Sequence, residues 1–129
     1  ENKLAAKRLR SFYTPTGKAN GAKILALHFE HDGLLFVENL NEYAKRSKPA
    51  DFTPVVVREE QGPTHCQFAP AERLAAWDSL LGWLADKTQP SALDVQLRCE
   101  DLVQQGAAGP CRIDPDYQIG NLYDRVKAR

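Results

Sequence analysis

Methionine is absent from all 129 residues, and the chain opens on Glu1. That reads as a trimmed product or a fragment of a longer protein, and it is compatible with a signal peptide already removed. Cysteine is scarce: Cys66, Cys99 and Cys111 are an odd number without CxxC spacing. This usage argues against a disulfide framework or a zinc module and favours a reducing, cytoplasmic setting, with a Cys99–Cys111 bridge as the minority alternative. No apolar run approaches the roughly 18 residues of a membrane span, so no membrane partner is expected. Neither sign of charge dominates, with 17 Lys and Arg against 17 Asp and Glu. No global field therefore draws the chain to nucleic acid or lipid. Also missing are a GxSxG elbow, a P-loop, a GxGxxG turn, any internal repeat and any low-complexity tract. No cofactor is implied.

What is present suits one domain, residues 1–129, long enough to bury a core without a staple. The pattern is organised around Lys23–Arg46, KILALHFEHDGLLFVENLNEYAKR. Two β-prone runs flank His31-Asp32-Gly33, and Asp-Gly between such runs is a hairpin signal. The expected strands are 23–30 and 34–37, followed by a helix over 38–46. Leu25, Leu27 and Phe29 share one strand face; Ile24, Ala26, His28 and Glu30 share the other. A third strand is expected over Thr53–Glu59, led by Pro54, and a fourth over Thr64–Phe68. Helices are expected at 2–13 and, opened by a proline, at 70–87, where Leu74, Trp77, Leu80, Leu81 and Leu84 form an apolar stripe turned to the sheet. Ser91 and Asp94 start a helix to about Gln105, favoured over a strand through Leu93, Val95, Leu97 and Cys99. Asp114-Pro115 starts a last helix with Ile119, Leu122, Tyr123 and Val126 on its apolar face. The expected fold is thus α+β, with an antiparallel sheet of about four strands (two hairpins) and helices packed mainly on one face.

Three groups of residues bear on function. Residues 1–23 hold six basic residues and one acid, while the remaining 106 hold 11 basic and 16 acidic. A basic helix and loop presenting Lys7, Arg8, Arg10, Lys18 and Lys23, with Phe12 and Tyr13 to stack, would suit a phosphate backbone. The plainer reading is a solvated helix face. Second, His28, Glu30, His31 and Asp32, with His65 and Cys66 later in the chain, have the chemistry of metal ligands, and His28, His31, His65 or Cys66 that of an enzyme site. Neighbours on a strand point to opposite faces, so His65 and Cys66 are poorly placed to act on one ion, and no metal is expected. Asp51, Glu59 and Glu60 evoke a nuclease cluster, but the lysine such a cluster requires is missing. Third, Trp77, Trp83, Tyr117 and Tyr123 crowd the C-terminal half. Trp83, at the edge of the stripe, and Tyr117 are the candidate anchors for a partner. The reading favoured is a non-catalytic accessory or interaction domain that binds a protein partner or itself. A nucleic-acid-binding domain using residues 3–23 is the alternative.

Overall fold

The computed structural model describes residues 2–13, 16–58, 62 and 65–125, with the backbone alone for Arg10, Phe12 and Tyr13. Helix α1 spans Lys3–Tyr13, strand β1 Ile24–Phe29, helix α2 Glu38–Ala44 and strand β2 Phe52–Val57. Helices α3 and α4 span Pro70–Asp86 and Ala92–Gln104; strand β3, Ile113–Asp114, and a short α5, Leu122–Arg125, complete the order.

The expected four-stranded antiparallel sheet does not form. The sheet has three strands in the order β1-β2-β3. β1 runs parallel to β2, from Ile24 opposite Phe52 to Phe29 opposite Val57. β3 pairs antiparallel with the end of β2. The departure lies at Asp32-Gly33. Asp32 Oδ1 accepts the amides of Leu34 (2.7 Å) and Leu35 (2.9 Å). Such a side-chain turn competes with a hairpin for the same residues, and here it steers the chain away from β1 and into α2. Leu34, Leu35 and Phe36 are left exposed rather than paired. The result is a β1-α2-β2 crossover, the connection that parallel strands require. Thr64 and Glu59, the end of the third expected strand, lie outside the described residues, as does Glu60; Cys66–Phe68 is not a strand.

Helices cover both sheet faces, not mainly one. On one side Phe29, Val55 and Val57 pack with Ala71, Ala75, Val95, Cys99 and Ile113. On the other, Phe52 and Val56 pack with Val37 and Leu40, and with the half-buried Tyr43, Tyr117 and Ile119. The face assignment along β1 holds, since Leu25 and Leu27 meet the first cluster and Ile24 and Ala26 the second.

α3 starts at its proline, but its expected inward stripe faces outward. Leu74, Trp77, Leu81 and Leu84 are each about half exposed, while Ala71, Glu72, Ala75 and Trp83 are buried. Small alanines let the helix lie close on the sheet. Ala69 has no side-chain oxygen, so the cap is one-sided: its amide donates to Glu72 Oε2 at 2.7 Å. α4 forms as expected behind Ser91, whose Oγ accepts the Asp94 amide while Asp94 Oδ2 accepts the Ser91 amide. A Cys99–Cys111 disulfide then ties α4 to the segment entering β3. Asp114-Pro115 ends β3 in a turn instead of opening a helix, and the last helix is only Leu122–Arg125. Val126 lies outside the described residues.

Candidate functional site

Two adjacent parallel strands end at the same edge, and in open parallel sheets the crevice beyond the carboxyl ends is where chemistry is usually assembled. β1 delivers Glu30, His31 and Asp32 there; β2 delivers Arg58 and, further along, His65 and Cys66. Arg58 is pinned in place. Its Nη1 donates to Glu30 Oε1 at 2.9 Å, its Nε donates to Asp114 Oδ2 at 2.7 Å, and its guanidinium lies 5.2 Å over the Tyr117 ring. The Arg58 amide also donates to the Arg112 carbonyl at 2.8 Å. Burial pushes the Tyr117 hydroxyl pKa up, and the carboxylates of Glu30 and Glu38 add to it.

The sharpest contact lies beside this frame. His65 Nδ1 sits 2.7 Å from Asp32 Oδ2, across 33 residues of sequence. The Asp32 side chain is only 6% exposed, while His65 is 38% exposed. Burial alone would push the Asp32 carboxyl up; the amides of Leu35 and Leu34 and the His65 ring outweigh it and hold the pKa at about 2. Asp32 is therefore an acceptor near neutral pH, and the shared proton belongs to Nδ1 of His65. In the neutral ring that leaves the lone pair on Nε2. Next to it, Cys66 has φ +60°, a left-handed backbone uncommon outside glycine and over-represented at functional sites. Its thiol is free and exposed.

The other expected site residues are scattered. His28 turns its Nδ1 to the Phe29 carbonyl at 2.8 Å, and His31 stands 3.9 Å from Glu30. Among the described residues no three His, Cys, Asp or Glu groups converge on a metal position. Lys7 and Arg8 are exposed on α1, and Lys18 on the loop after it. Lys23 is committed internally: its Nζ donates to Asp51 Oδ1 at 2.6 Å and to the Ala50 carbonyl at 2.9 Å, and it lies 5.3 Å over the Trp83 ring. The Arg10, Phe12 and Tyr13 side chains lie outside the described residues. Trp83 is 2% exposed and belongs to the interior, whereas Trp77 is 58% exposed. Tyr117 is half-buried under Arg58. No helix is long and apolar enough to cross a membrane, among the described residues.

Asp32 was visible in the sequence as a turn residue and as one carboxylate of the His28–Asp32 stretch, but not as the partner of His65. The signal that would have singled it out is an acid just after one β-run and a histidine just after the next, which becomes meaningful only once the two runs are parallel neighbours. Comparison with known proteins finds no matching family, no matching curated protein and no matching solved structure.

Proposed function

We propose that this chain carries the acid and the base of a hydrolytic, acyl-transfer site, with Asp32 orienting His65. The observation that supports the reading best is the 2.7 Å contact between Asp32 Oδ2 and His65 Nδ1 at the shared carboxyl edge of β1 and β2. A buried carboxylate holding Nδ1–H fixes the tautomer and ring orientation in which Nε2 accepts the proton of a hydroxyl or thiol. That nucleophile attacks the carbonyl carbon of an ester or amide, and His65 then returns the proton to the leaving alcohol or amine. Acid before base, each following a parallel strand, is also the chain order of α/β-hydrolase triads, in which the nucleophile comes earlier. The 129 residues hold no GxSxG elbow, and the reading assigns the orienting acid and the base alone. The test is turnover of p-nitrophenyl butyrate by the purified protein. His65→Gln and Asp32→Asn should each lower kcat by roughly 10⁴-fold, with His31→Gln unchanged. Full turnover in His65→Gln ends the proposal.

A second reading, an interaction domain for a protein partner or a second copy, is supported by the outward apolar faces of α3 and α4. Leu74, Trp77, Leu81 and Leu84 on one helix and Leu93 and Leu97 on the other are each about half exposed, and grouped exposed apolar side chains of this kind mark contact surfaces. Trp77 replaces Trp83 as the anchor in this reading. The nucleic-acid alternative rests on fewer groups, because Lys23 is spent within the fold. The Cys99–Cys111 bridge favours an oxidising, exported setting over the cytoplasmic one.

A further inference from the structure

The amino ends of β1 and β2 hold a second concave feature, separated from the Asp32–His65 pair by the length of a six-residue strand, about 20 Å. A cavity of about 440 Å³ lies there, between the loop 16–21 that leads into β1 and the residues 46–51 that join α2 to β2. Three cations line it: Lys18, Arg46 and Lys48. Its one carboxylate, Asp51, is neutralised by Lys23, whose Nζ lies 2.6 Å from Oδ1. Among the described residues no side chain or carbonyl engages the charged ends of Lys18, Arg46 and Lys48. Like charges gathered around one cavity repel each other, and an anion seated among them removes that cost.

Both walls are held by contacts within the fold. Gly17 is buried with φ +69°, and a Cβ there would overlap the Arg46 carbonyl, so the loop lies directly on the chain leaving α2. Opposite it, the Lys23 ammonium donates to the Ala50 carbonyl and the Gln89 side-chain amide to the Pro49 carbonyl, each at 2.9 Å. The rest of the lining narrows the ligand class. Thr16 and Asn20 supply a hydroxyl and an amide, groups that pair with the hydroxyls of a sugar. The described lining has no aromatic ring on which a base would stack. The volume is in the range of small-molecule sites and exceeds what a phosphate ion alone needs.

We infer that this cavity binds a small phosphate monoester with a polyhydroxylic body, a sugar phosphate. Lys18, Arg46 and Lys48 take the phosphoryl oxygens, Arg46 through its two-pronged guanidinium, and Thr16 and Asn20 take the hydroxyls.

Isothermal titration calorimetry of the purified protein with glucose 6-phosphate tests it, with glucose, inorganic phosphate, AMP and a short single-stranded RNA for comparison. Glucose 6-phosphate should bind one per chain, inorganic phosphate more weakly, and glucose not at all. Arg46 and Lys48 are exposed, so their replacement leaves the fold in place. Arg46→Gln and Lys48→Gln should each weaken binding about tenfold. Gly17→Ala should weaken it too, although every cation remains, and Lys7→Gln on α1 should change nothing. The inference is overturned if glucose 6-phosphate shows no saturable binding at millimolar concentration, or if both cation variants bind it as the wild type does. Tighter binding of AMP also overturns it, since the body recognised would then be a nucleoside. So does tighter binding of the RNA that weakens in Lys7→Gln, which would make these cations part of a surface for a phosphate backbone. None of these readouts involves Asp32 or His65, so the outcome is independent of the hydrolytic reading.

Discussion

A carboxylate taken out of water is tolerated only when donors meet both oxygens. Glu72, fully buried, does this with the Ala69 amide, the Arg112 amide and the Arg112 guanidinium, at 2.7 to 3.0 Å. Asp32 follows the same rule with two backbone amides and a ring, and it titrates at about 2 against an ordinary 3.8. Its folded pKa lies below its unfolded one, so its stabilising contribution is complete above about pH 4 and is lost as pH falls toward 2. Thermal unfolding of the wild type at pH 6 and pH 2.5 should therefore show a fall in Tm that is smaller in Asp32→Asn; equal falls would deny the carboxylate this role. At this scale the sequence was partly legible. The chemistry of Asp32, His65 and Cys66 was marked, but their pairing was not, because the partnership of residues 33 apart depends on which strands are neighbours.

Among the elements, those decided by local chemistry were foreseen. Pro70 at the start of α3 and the Ser91/Asp94 pair at the start of α4 act within one turn, where sequence spacing is spatial spacing. Those decided by pairing were not. The runs at 23–30 and 53–59 were recognised as β-prone, yet nothing in their residues says parallel; the Asp32 side chain settled that by capping a turn instead of closing a hairpin. The leucines and Trp77 of α3 suggest an inward stripe, whereas its contact with the sheet cluster is made by Ala71 and Ala75, and Trp83 is buried beside Lys23. The Cys99–Cys111 tether is the element-scale device most open to measurement. It closes a loop with a sequence separation of 12, for which the loop-entropy relation gives about 3 kcal/mol. Urea unfolding should lose about that much on reduction, with one titratable thiol before and three after; an unchanged midpoint would mean the tether does not constrain the unfolded chain.

For the molecule as a whole, inside and outside are divided differently from what hydrophobicity alone suggests. Trp83 is interior, stacked under Lys23, and Trp77 is on the surface. Trp83→Ala should cost about 3–5 kcal/mol, and Trp77→Ala no more than about 0.5 kcal/mol in the chain studied alone. The emission of the two single-tryptophan proteins should differ in the same sense, blue-shifted for Trp83. Reversal of these costs would put the α3 stripe back against the sheet.

β2 is the wall between two cores, with Val55 and Val57 on one side and Phe52 and Val56 on the other. Neither core can consolidate before that wall stands, and it stands only after the chain has looped through α2 to set it beside β1. The entropy of closing that loop is spent before most of the reward arrives. Folding speed should accordingly be governed by the valines of β2, with the caps and the short α5 registering mainly in how fast the finished structure comes apart.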